Sequence, residues 1–171
     1  MKLASFALPT LILSIVSFTA PLARAQMTIG ESTTISFASV AQARDILTAR
    51  DDFVRRMSPF DRSARFQTDR PVSEKEYLRY VADHVLPWTD AEEQSIRSAL
   101  DDLLSKLADL AWAFPEKVFL IKTTGAEEGG AAYTRANAVV LPQNMLATPP
   151  VAMRKLVCHE LFHVLSRANP A

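Results

Sequence analysis

His159 and His163 stand four residues apart, with Glu160 directly after the first, in the run His159-Glu160-Leu161-Phe162-His163. On an α-helix, side chains four apart leave the same face about one turn apart, so both imidazoles can meet a single metal ion. Zinc suits such nitrogen ligands, and it lowers the pKa of its water toward ~7, which gives a nucleophile at neutral pH. Glu160 sits beside the first ligand, where a carboxylate reaches that water without ligating the metal. It can accept the proton and pass it to a leaving amine. Two of the chain's three histidines fall in this spacing. The competing reading, two helix histidines next to a salt-bridged Glu, must treat that as coincidence.

The surrounding elements follow from periodicity and punctuation. Thr148-Pro149-Pro150 reads as a cap with prolines in the first helical turn, where the missing N–H costs nothing. A helix is predicted from about Val151 to Ser166, with Leu156, Val157, Leu161, Val164 and Leu165 able to pack its other sides. Upstream, Lys117 to Thr124 is β-branched and aromatic and suits a strand. Gly125 to Gly130 holds three of the chain's four glycines and reads as a turn. Ala131–Arg135 and Asn137–Leu141 supply a second extended segment, ended by Pro142.

The clearest helix opens on a capping box, Thr89 with Glu92, and carries the stripe Ile96, Leu100, Leu103, Leu104, Leu107, Leu110 and Ala111 until Pro115 stops it. That stripe is core. Ser73 with Glu76 is a second capping box, for a helix through Tyr77, Tyr80, Val81 and Val85 that ends at Leu86-Pro87. Ser39 with Gln42 is a third, opening a helix that continues to Met57, and residues 59–73 read as a charged connector. Thr33-Ile35-Phe37 hints at a short strand.

Composition limits the function classes. The chain has 171 residues, 49% hydrophobic and 22% charged, with 19 Lys and Arg against 19 Asp and Glu, which fits one globular domain and excludes disorder as the main state. Zero formal net charge argues against nucleic acid as a partner. A single cysteine excludes an internal disulfide framework and any zinc site built from several thiolates.

Residues 1–25 read as an export signal. Met1-Lys2 gives a positive start, Leu3 to Phe18 is an apolar run, and Ala23-x-Ala25 places small side chains for cleavage before Gln26. The expected location is periplasmic or extracellular. The mature part, residues 26–171, loses Lys2 and Arg24 and no acid, leaving 17 basic and 19 acidic residues. No later stretch is apolar for long enough to span a bilayer, so no membrane association is expected after cleavage. Cys158, a lone thiol in an oxidising compartment, is expected to be buried and inert.

From Val118 to Arg167 the chain resembles the zincin metallopeptidases, in its order of strand, Gly-rich turn with extended segment, and His-Glu-x-x-His helix. The resemblance implies one Zn2+ held by His159 and His163, Glu160 as general base, and a peptide or protein substrate. It also implies an edge strand above the metal helix that pairs with the extended substrate; Ala132–Arg135 and Asn137–Leu141 both qualify, as an edge or as an interior strand.

The departure from the family concerns the third ligand, since catalytic zinc takes three protein ligands plus water. Metzincins use a His six residues past the second motif His, and here that position is Asn169, with Ser166 where their Gly stands, which excludes that subgroup. Residues 164–171 contain no Asp, Glu, His or Cys. Three explanations remain open: a longer protein of which this chain, ending at Ala171, is a part; an upstream ligand such as Glu127, Glu128 or His84; or a degenerate site. The expected architecture is α+β, with a helical N-terminal part, a small sheet and then a zincin-type metal-binding helix. Two rivals stand beside the peptidase: a non-catalytic zinc-binding or interaction domain, and a helical structural protein with accidental histidines.

Overall fold

A computed structural model describes residues 27–30, 32–108 and 113–170. The export signal at 1–25, with Gln26, and the end of the long apolar stripe at Leu110 and Ala111 lie outside the described residues. The fold is α+β. Six strands among the described residues, β1 (Met27–Ile29), β2 (Thr33–Phe37), β3 (Val85–Leu86), β4 (Lys117–Thr123), β5 (Tyr133–Arg135) and β6 (Ala138–Pro142), form one mixed sheet in the order β1-β2-β4-β6-β5, with β3 paired to the end of β4. The inner strands β2, β4 and β6 run parallel, while β1 and β5 lie antiparallel at the two edges.

Among the described residues, six α-helices cover this sheet: α1 (Val40–Leu47), α2 (Asp52–Arg56), α3 (Pro59–Arg65), α4 (Glu74–Asp83), α5 (Asp90–Ala108) and α6 (Pro150–Ala168). Alternation along the strands sorts them into two layers. Val118 and Leu120 of β4, with Val139 and Leu141 of β6, pack against Leu100 and Leu104 of α5 and Val157 and Leu161 of α6. The intervening Ile121, Ala138 and Val140 pack instead with Leu47, Val54, Tyr77 and Val81 from α1, α2 and α4. Because β4 and β6 are covered on both faces, both carry near-continuous apolar runs, Val118–Ile121 and Ala138–Leu141.

The sheet begins earlier than the sequence suggests. β1 and β2 precede the helices and sit in the same sheet as β4, so α1–α5 form the connection between two parallel neighbours. The helix expected from Val40 to Met57 is two. Thr48 caps the end of α1, and the Asp51 side chain accepts from Val54 N at 3.1 Å to start α2. An Asp whose carboxylate can satisfy a free backbone N–H competes with helix continuation, and here it wins. The expected connector at 59–73 contains α3. Val85 lies outside its predicted helix, extended in β3 against Thr123. The N-cap of α6 is Pro149 and not Thr148, with no side-chain cap bond.

The three expected capping boxes are present, and Ser58 with Asp61 adds a fourth on α3. At Ser73, the backbone N–H and the hydroxyl both donate to Glu76, at 2.9 and 2.8 Å. These bonds, joined by one from Arg70, bring the Glu76 carboxyl down to about 2. The Ser58 hydroxyl and N–H likewise lower Asp61. A carboxyl depressed on folding adds stability that is fully present above its unfolded pKa and is lost as pH falls through the folded value. Helix content should therefore decline between about pH 4 and 2, and Glu76→Gln should flatten that decline in a circular-dichroism acid titration. An acid limb identical to wild type would contradict this.

Gly125 closes the turn after β4 at φ +86°, where an added Cβ would come within 2.9 Å of the Pro142 Cβ. Both the left-handed backbone and this contact favour glycine. Gly125→Ala should cost about 1–3 kcal/mol, read from the urea midpoint.

Candidate metal centre

Helix α6 buries Met153, Val157, Glu160, Leu161 and Val164, a row recurring at helical spacing that faces the sheet. Two long side chains fix its rotation. On one flank Arg154 reaches Asp102 of α5 at 2.6 Å; on the opposite flank Arg167 donates to the Thr134 hydroxyl of β5. His159, His163 and Arg167 follow one another in steps of four and so form a single stripe along the β5 flank.

The two imidazoles converge. Their Nε2 atoms lie 3.1 Å apart and the rings meet edge to face, with centroids 4.6 Å apart. At that separation one neutral ring donates its N–H to the other, or both lone pairs meet one cation. Zinc–nitrogen bonds of about 2.0–2.1 Å in tetrahedral array place neighbouring ligand atoms about 3.3–3.4 Å apart. The pair is within a few tenths of an ångström of that spacing, so two zinc ligands fit these residues without rebuilding the helix. His159 is exposed and His163 half-buried, so a solvated ion has access. Glu160, only 5% exposed, belongs to the buried sheet-facing row and adjoins His159 in the chain.

Of the two segments expected to form an open edge strand, Tyr133–Arg135 is the edge, and Ala138–Pro142 is interior between β4 and β5. Edge strand β5 and the interior β6 are the two strands against which α6 packs most.

None of the upstream candidates for a third ligand joins the pair. Glu127 and Glu128 sit in a 3-10 turn after β4. Glu127 is fully buried and accepts from the Tyr133 hydroxyl at 3.3 Å, while Glu128 pairs with Arg65 of α3 at 2.8 Å. Burial, and then the Glu127 charge, push the Tyr133 phenol well above its ordinary range. Burial and the Glu128 carboxylate raise Tyr77 to about 12. His84 caps α4, with Nδ1 2.7 Å from the Tyr80 carbonyl and its ring packed on the Tyr80 ring at 4.1 Å. These groups belong to the layer of α3 and α4, across the sheet from α6. Among the described residues no three His, Cys, Asp or Glu side chains are grouped to hold a metal ion.

Cys158 corrects an expectation: it is exposed, not buried. It follows the buried Val157 by one residue, and a step of one on a helix turns the side chain about 100° away from the sheet. Arg167 is the residue that sequence reasoning missed. Its position four after His163 carried the signal, because it continues the histidine stripe toward β5. Among the described residues, no helix is long and apolar enough to cross a membrane. No protein-family model, curated protein or solved structure matches the chain.

Proposed function

We propose that this chain is a zinc-dependent peptidase of the zincin kind, exported by its first 25 residues and acting on peptides or proteins in the periplasm or outside the cell. The observation that carries the reading is the convergence of the His159 and His163 Nε2 atoms to 3.1 Å, with Glu160 as the adjoining residue. Zinc bound there supplies Lewis-acid polarisation of the scissile carbonyl and a water of lowered pKa.

The chain's own residues do the rest. His159 and His163 present their Nε2 atoms as ligands. Glu160 takes a proton from the attacking water as its oxygen bonds to the carbonyl carbon. It returns that proton to the amine nitrogen when the C–N bond breaks. β5 is the last strand of the sheet, so its outer edge can hold an extended peptide through backbone hydrogen bonds, and Arg167 ties that strand to the helix bearing the ligands.

A second reading is favoured by the missing third donor among the described residues: zinc binding without hydrolysis. One experiment separates the two. Zinc per chain and cleavage of casein-derived peptides are measured for wild type and Glu160→Gln, with and without chelator. Chelator-sensitive cleavage lost in the variant supports the peptidase; cleavage that survives both treatments rejects it; stoichiometric zinc with no cleavage supports the second reading.

A further inference from the structure

We infer that two copies of this chain share one zinc ion, each supplying His159 and His163, so that four imidazoles complete the metal's shell. The inference rests on the reading that this pair holds zinc, and it names a partner for that same site. Zinc prefers four ligands in tetrahedral array, and the described residues of one chain bring two of them together. A pair 3.1 Å apart occupies one edge of such a tetrahedron, and a two-fold axis through the ion supplies the opposite edge from an identical pair.

The flank of α6 allows this approach. His159 is exposed, and Phe162, 61% exposed, has its ring 6.3 Å from that of His163, so a second α6 laid across the stripe would cover an apolar ring as well as the ion. Charge opposes association without metal. Arg154 of α6 is paired with Asp102 and its one acid, Glu160, is buried, so Lys155 and Arg167 leave this helix positive and two bare helices repel. Dimerisation should therefore depend on zinc. Four nitrogen ligands leave no position for water, which makes the pair a closed form of the site.

The test is sedimentation velocity of the full chain titrated with zinc alone. The expected result is a monomer in chelator and a doubling of mass that saturates at one zinc per two chains. The doubling should be absent in His163→Ala and retained in Glu160→Gln, whose side chain is not a ligand. One zinc per chain at monomer mass overturns the shared site and leaves the peptidase reading standing. Absence of zinc binding overturns both. Doubling that persists in chelator or in His163→Ala overturns the zinc bridge in favour of an apolar contact.

Discussion

Glu160→Gln should lower kcat/KM for peptide cleavage by about 10²–10⁴ while leaving zinc content, helix content and the thermal midpoint close to wild type. The separation of these effects is what makes the substitution informative. Gln keeps the volume of Glu, so the buried position opens no cavity. On the proposed reading, zinc occupancy depends on the two imidazoles and not on this carboxylate. What Gln lacks is an atom able to accept a proton from water and carry it to the amine, so the loss falls on the chemical step and should appear in kcat before KM. A variant that cleaves as fast as wild type would remove Glu160 from the mechanism.

The largest stability effect should come from Asp51→Ala. Arg135, on edge strand β5, is 1% exposed, and its guanidinium meets Asp51 through Nε at 3.2 Å and Nη2 at 3.1 Å. It also donates to the Ala49 carbonyl at 3.3 Å and lies over the Phe53 ring at 4.6 Å. Removing the carboxylate leaves a buried cation without its counter-charge, and breaking such a pair typically costs about 3–5 kcal/mol. The Asp51 side chain is 31% exposed, so water offsets part of this and the lower end of that range applies. The same carboxylate caps α2, and its loss adds about 1 kcal/mol. A urea midpoint change corresponding to about 3–4 kcal/mol at pH 7 is expected, with Asp51→Asn milder because the amide oxygen still caps Val54 N. A cost below about 1 kcal/mol would show the pair to be water-supported. Because Arg135 lies in β5, the Asp51 variant should also weaken substrate binding more than the chemical step.

The sequence disclosed most where the physics is local. A Ser or Thr followed three residues later by Glu or Gln located α1, α4 and α5. Ser58 escaped this pattern because its partner is Asp61, whose shorter carboxylate still reaches the Ser58 N–H at 2.8 Å. The break between α1 and α2 was hidden because Leu47 and Val54 are seven apart, two helical turns, and the pattern continues through a cap that only Asp51 reveals. β1 and β3 were missed for a different reason. Each is at most three residues long and is strand only because a partner lies beside it, β2 for one and the end of β4 for the other. The histidine pair was legible in full, being four residues on one helix. The layer that keeps Glu127, Glu128 and His84 away from it was not, because which face of a sheet a turn occupies depends on pairings made far along the chain.

The pairing of β2 with β4 sets Thr34 against Lys117, 83 positions later. A ribosome delivers these residues in order, so β2 emerges as a bare edge and stays one while five helices are made. Contacts of such sequence separation form slowly, because a long loop must be closed before any of them is rewarded. Until Lys117 arrives, the nascent chain cannot lock into its final form. Under the export proposed above, that delay is useful, since a domain that knits itself together late is still threadable when the translocation machinery receives it.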